Sequence, residues 1–212
     1  DTLDRIGMTG RLDAKGFQSK QSVQFVSPDG ELSAPFYFSK HTDHPRAKTW
    51  QVDRKTFDVM MMERAREAGA EVREGIKVLD FLEDSGAIVG VRAEDENGEI
   101  FEFRAPITMD ASGRDALFQR KKKWRKRDPK LNKIAIWTLY KGAKRDPGVD
   151  EGATTIAYVK EKGWFWNIPL KDDIVSTGIV AERDYLYRDG RDLKEIYERE
   201  IKENKWVDDH LS

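Results

Sequence analysis

The sequence predicts a mixed α/β chain, and three observations predict it. Residues 54–68 carry the one long helical apolar stripe in the N-terminal half. Runs of strand length, with apolar and polar residues alternating, occupy residues 78–105 and 134–181. Gly, Asn, Asp and Pro punctuate these runs where hairpin turns would fall. A helix among sheet segments, with four strand patterns crowded between residues 134 and 181, reads as α+β layering that ends in an antiparallel sheet.

Residues 1–16 read as the end of a helix followed by a polar, Gly-containing loop. Residues 17–39 read as a β-hairpin, with Val23, Phe25 and the run Phe36-Tyr37-Phe38 flanking a turn at Pro28-Asp29-Gly30. On a strand, Phe36 and Phe38 would share a face opposite Tyr37. His41 and His44 sit three apart beside Pro45 with no further His or Cys cluster, a weak ligand set, so this stretch is a loop and no metal is expected.

Phe57, Met60, Met61, Ala65 and Ala68 form the helical stripe, with Asp53 as its N-cap and Gly69 just past its C-terminus. Arg54 then falls in the first turn, facing the positive end of the helix dipole. That placement suits an anionic or polar ligand, and equally a solvated surface arginine. Residues 70–73 read as a short parallel strand. Residues 78–81, 87–93 and 100–105 form a three-stranded meander whose second turn, Glu96-Asn97-Gly98, suits a type I′ hairpin. Residues 107–114 read as a strand entering a turn of small residues. There Ser112 and Gly113 allow close backbone approach, and Asp110 can accept hydrogen bonds from ribose hydroxyls or from loop N–H groups.

Residues 120–127 hold seven basic side chains and Trp124, and read as a solvated surface segment after a short helix. Strands follow at 134–140, 154–159, 164–170 and 174–181, with Lys171-Asp172-Asp173 as a tight turn. Leu193, Ile196, Tyr197 and Ile201 mark a final amphipathic helix. In the third of these strands, Trp164 and Trp166 share one face and Phe165 takes the other. Two indoles side by side pack a core or wall a site for a planar ring. Pro169 removes a ladder donor and fits the strand's end.

Composition narrows the function. Of 212 residues, 38% are hydrophobic and 36% charged, with a formal net charge of −1. That balance gives no general electrostatic case for nucleic acid or anionic membrane. There is no cysteine, which excludes disulfide and thiolate chemistry and fits a cytoplasmic protein. No apolar run reaches the roughly 20 residues needed to span a bilayer. No G-x-G-x-x-G occurs, so the dinucleotide fingerprint is missing. Opening at Asp1 inside a helical pattern and closing at Ser212, the chain reads as the middle of a longer protein.

Gly163-Trp164-Phe165-Trp166-Asn167-Ile168-Pro169 resembles the G-W-x-W-x-I-P signature of flavin-dependent halogenases. Gln51-Val52-Asp53-Arg54 and Asp110-Ala111-Ser112-Gly113-Arg114 resemble two further elements of that family and of the FAD-dependent aromatic hydroxylases, in the same order. The resemblance implies an FAD/NAD(P)-binding-domain fold of the aromatic hydroxylase type, with residues 1–129 in the FAD-binding part and 130–212 as the substrate-side sheet and helix. It implies FAD as cofactor, held by Gln51, Arg54, Asp110, Ser112 and Gly113, with Trp164, Trp166, Ile168 and Pro169 walling the flavin and substrate side. Reduced flavin and O₂ would modify an aromatic or other electron-rich small molecule, with halide as a co-substrate and a flavin reductase as electron donor. The family's catalytic lysine and glutamate match no residue here, so the catalytic residues are unknown. Hydroxylation or saturation of a prenyl chain on the same fold is an alternative. A non-enzymatic, aromatic-lined binding module is another.

Overall fold

The computed structural model describes residues 2–160 and 163–212. Asp1, the first residue of the expected helix tail, lies outside the described residues. Two compact units emerge, Asp1–Arg64 with Asn132–Ser212, and Ala65–Leu131.

The first unit begins with two short helices, α1 (Thr2–Arg5) and α2 (Thr9–Lys15), where a helix end and a loop were expected. Gly16 takes φ +69° as the C-cap of α2. Strands β1 (Gln18–Lys20), β2 (Ser22–Val26), β3 (Phe36–Tyr37) and β4 (Thr49–Gln51) follow. β1 pairs with β4, while β2 forms the expected hairpin with β3. Phe38 does not continue β3 opposite Tyr37. It opens a 3-10 turn, and its ring meets Phe36 edge-on at 6.3 Å.

Helix α3 (Arg54–Glu67) starts at the expected cap, where Asp53 Oδ2 accepts the Thr56 N–H at 3.0 Å. Phe57, Met60 and Met61 turn toward Met8, Leu12 and Phe17 in a small apolar cluster. Hydrogen bonding from Thr56 holds the Asp53 carboxyl below its ordinary range. Asp53→Ala is expected to cost about 1 kcal/mol at neutral pH. A depressed carboxyl's contribution is complete above its unfolded value and is lost as pH falls through the lower folded one. The gap between wild type and variant should therefore close as pH falls below about 4. Urea midpoints measured at pH 7 and at pH 3 check both parts.

The rest of the first unit is built on β8 (Lys133–Lys141), β9 (Thr154–Val159), β10 (Gly163–Pro169) and β11 (Ile174–Glu182). With β2 and β3 they form a six-stranded sheet in the order β3-β2-β9-β10-β11-β8, antiparallel except for the β2–β9 pair. The expected 171–173 turn closes the β10–β11 hairpin, with Asp172 and Asp173 at φ +60° and +59°, a region that Asp tolerates better than most residues.

One face of this sheet is covered by α5 (Arg183–Leu186), α6 (Leu193–Lys202) and α7 (Lys205–Leu211). Phe165, Ile179, Ile136 and Val26 meet Ile196, Tyr197, Ile201 and Trp206 there. Asp192 caps α6, and Asn204 caps α7 while donating to the Ser27 and Tyr158 carbonyls. Leu193, expected on the buried stripe of α6, is exposed. Glu200 is buried in the helix layer instead, bonded to Tyr185, Arg188 and Arg199.

The second unit holds the expected meander, β5 (Lys77–Asp84), β6 (Ala87–Glu94) and β7 (Ile100–Arg104). Its type I′ chemistry lies in the other turn. Ser85 and Gly86 both have positive φ, +48° and +83°. In the second turn only Gly98 does, and Gly98 N–H donates to the Asp95 carbonyl. That is a three-residue loop ending in a glycine bulge, with Asp95 accepting the Asn97 and Glu99 N–H groups. Residues 70–73 and 107–112 form no strand. A short alternating run with no pairing partner stays irregular. Gly69 and Ala70 close α3 with two bonds to Arg66 and Ala65, at the expected position. Helix α4 (Leu117–Lys121) completes the unit.

Candidate functional site

Strand β10 sorts its side chains by parity. Trp164, Trp166 and Ile168 alternate as half-buried residues with the buried Gly163, Phe165, Asn167 and Pro169. The tryptophans therefore lie on the sheet face away from the helices, while Phe165 packs on Tyr197 of α6 with ring centroids 5.9 Å apart. Pro169 falls on the opposite face from the tryptophans.

Cross-strand register builds the wall around the indoles. Trp164 sits between Tyr158 and Val180, Trp166 between Ile156 and Gly178. A Cβ on Gly178 would lie 2.5 Å from the Trp166 ring and from Trp137, so only glycine leaves the slot in which that indole lies. Ser176 Oγ accepts the Trp166 Nε1 proton at 3.3 Å and fixes the ring's orientation. Trp137 and Leu139 extend the same face on β8, and Phe25 stacks beside Tyr158 at 6.4 Å on the other side. The result is a broad apolar surface rich in flat rings.

At the hairpin end of this face lies a pocket of about 280 Å³, lined by Phe17, Asp53, Thr56, Leu139, Lys171 and Ile174 among others. Arg145 supports its wall, donating to the Leu170 and Ile174 carbonyls at 2.7 and 3.0 Å. Nothing in the local sequence around Arg145 signals this role. It depends on contacts 25 to 29 residues away.

The other candidate residues divide between the units. Gln51 is buried, and its amide nitrogen donates to Gly152 O and Thr154 Oγ1 at 3.1 and 2.8 Å. Arg54 opens α3 with a side chain 77% exposed, paired to Asp58 at 3.0 Å. An acid one turn on thus compensates the cation at the helix start. In the second unit, Asp110 accepts the Ser112 and Phe118 N–H groups at 2.9 and 2.8 Å, and Ser112 Oγ accepts that of Leu117. Hydrogen bonds from Ser112 and Phe118 hold the Asp110 carboxyl below its usual range. Gly113 has φ +60° with open space where a side chain would begin. Asp110 thus orders loop N–H groups, one of its two expected capacities.

Among the described residues no group of three or more His, Asp or Glu could hold a metal ion. His41 stacks on Phe36 at 4.0 Å, and His44 Nδ1 accepts the Arg46 N–H. Among the described residues no helix is long and apolar enough to cross a membrane.

The architecture is that of the FAD-binding proteins of the aromatic hydroxylase type. It matches the myxobacterial chondrochloren halogenase CndH, described as a variant of FAD-dependent halogenases, with a TM-score of 0.83 at 26% identity over 99% of this chain and 48% of that one. A flavoprotein/dehydrogenase from Cytophaga hutchinsonii matches with a TM-score of 0.87 at 28% identity, over 99% of this chain and 51% of that one. In sequence, the 1H-pyrrole-2-carbonyl-(peptidyl-carrier protein) brominase of Pseudoalteromonas luteoviolacea (strain 2ta16) is 34% identical over 188 residues, 87% of this chain and 44% of the brominase. The tryptophan halogenase family model matches residues 22–205, and the chain belongs to that family. It spans about half the length of these relatives.

Proposed function

We propose that this chain supplies walls of the site in an FAD-dependent oxidoreductase of the halogenase type, acting on an aromatic or other electron-rich small molecule. The observation that carries this reading is the Trp164/Trp166/Ile168 face, flat, apolar and opened by Gly178. Such a surface fits a planar ring system and keeps water from it. When bound, FAD would supply the redox chemistry with O₂ by which halide replaces a ring hydrogen. Arg54 would hold an anionic group of the cofactor. Its pairing with Asp58 is solvent-exposed and therefore weak, so the guanidinium is easily redirected. Asp110, Ser112 and Gly113 would contact the cofactor through the loop that Asp110 orders. Gln51 would act from within, fixing the strand that leads to Arg54.

In this reading, flavin contacts come from residues 1–129 and the substrate-side wall from 130–212, a division of role rather than of compactness. Halide, a small-molecule substrate and a flavin reductase are the partners. The absence of cysteine supports a cytoplasmic setting. The test gives the full-length protein reduced FAD, O₂ and bromide or chloride with pyrrole and indole substrates, followed by mass spectrometry. A product with the halogen isotope pattern is expected. The high similarity to a flavoprotein/dehydrogenase favours a second reading, flavin oxidation without halogenation. Products carrying one added oxygen, or reduced products without halogen, would replace the first reading with the second.

A further inference from the structure

Residues 120–127 place seven cations in eight positions on a chain whose formal net charge is −1. The segment is built onto the meander rather than trailing from it. Trp124 N–H donates to Gln119 O at 2.9 Å and Lys123 N–H to Arg120 O at 3.1 Å, with Lys123 at φ +58°, which closes α4 and turns the chain back. The Trp124 indole stands edge-on to Phe118 at 5.4 Å, and Phe118 edge-on to Phe81 of β5 at 4.9 Å. Lys121 pairs with Asp80 and Lys122 with Glu83, tying the back of the helix to β5.

This anchoring leaves Arg120, Lys123, Arg125 and Lys126 exposed and without an ion pair among the described residues. They flank Trp124 in sequence, and that side chain is still 64% exposed although its ring is pinned. A pocket of about 280 Å³ adjoins the ridge, lined by Leu79, Phe81, Leu117 and Arg120 among others. Exposed cations, a fixed aromatic and a recess with both apolar and charged lining together match the surface of an acidic protein helix that also shows an apolar side chain. Four unpaired cations on a chain with no nucleic-acid-binding motif make a poor footprint for DNA or RNA.

We propose that residues 120–126 are the docking surface for an acidic carrier protein that brings the substrate as a tethered acyl group. The inference rests on the halogenase reading above. It also draws on the brominase relative, whose substrate is a pyrrole carbonyl on a peptidyl-carrier protein.

The probe is a pyrrole-2-carbonyl-loaded peptidyl-carrier protein, titrated against the full-length protein at roughly 50 and 300 mM salt, a range over which exposed charges become screened. Wild type is expected to bind, and more weakly at the higher salt. The Lys123→Glu/Arg125→Glu/Lys126→Glu variant is expected to bind roughly tenfold more weakly or worse. A charge-conserving variant, Lys123→Arg/Arg125→Lys/Lys126→Arg, should keep the affinity. FAD titrations of all three proteins run in parallel and should agree. Carrier affinity unchanged by charge reversal overturns the proposal, as does a protein that binds FAD but no carrier. Equal reversal-sensitive binding of duplex RNA or phosphatidylserine vesicles also overturns it, since the ridge would then be a general anion surface. Loss of FAD binding in wild type overturns the halogenase reading separately.

Discussion

Phe165→Ala lowers the folding stability by about 3–5 kcal/mol, the range for emptying a fully buried aromatic site. Phe165 is 1% exposed and packs at the centre of the layer between β10 and α6. Its sequence neighbours behave differently. Trp164 and Trp166 are half-buried on the open face, so Trp164→Ala leaves most of its surroundings in place and costs roughly 1–2 kcal/mol. Equilibrium urea denaturation of the two variants measures the contrast. A Trp164→Ala loss equal to or larger than that of Phe165→Ala would show that the tryptophan face is core, and would remove the reason for treating it as a site.

Glu200→Gln is the second large effect. The carboxylate is fully buried and accepts hydrogen bonds from Tyr185 at 2.7 Å, Arg188 at 2.7 Å and Arg199 Nε at 2.9 Å, with Arg199 Nη2 ion-paired to it at 2.8 Å. Removing the charge leaves two guanidinium groups facing a neutral amide. Disrupting a buried pair in this way typically costs about 3–5 kcal/mol. The lower end, about 3 kcal/mol, applies because Arg188 and Arg199 keep 32% and 25% of their side-chain surface and can turn to water. Burial, and then the bond to Glu200, pushes the Tyr185 phenol up to about 12. A raised value means that the tyrosine's contribution is complete below its ordinary value of about 10 and is lost as pH rises through the folded one. In the variant, one tyrosine should ionise at lower pH, seen in the absorbance change near 295 nm. Unchanged stability together with an unchanged tyrosine titration would contradict the buried pair.

The strands at residues 133–182 were legible because alternation, length and turn residues all agreed, and the indole face follows from parity alone. Asp53 and Gly69 were equally legible, since a capping residue acts within one helical turn. What stayed hidden depends on register between distant strands. Gly178 has no local mark, yet its lack of a side chain places Trp166. Glu200 reads as an ordinary polar residue on an amphipathic helix, and its burial is matched by the neighbouring Arg199 and by Arg188, which comes from the α5–α6 connection. The Asn97-Gly98 signal was real but specified a different turn, because Asp95 supplies hydrogen bonds that favour the longer loop. In the basic segment the charge was plain, while the Phe81–Phe118–Trp124 anchor required the meander to be folded first.

The most direct test of the central claim is the visible spectrum of the full-length protein during titration with FAD, with flavin fluorescence followed in parallel. Saturable binding is expected, with the flavin emission quenched by the indoles proposed to wall it, weakened by Arg54→Ala and altered in spectrum by Trp166→Phe. A full-length protein that folds, carries no FAD and binds none on titration would contradict the flavoenzyme reading, and the tryptophan face would then be a surface for some other planar or apolar partner.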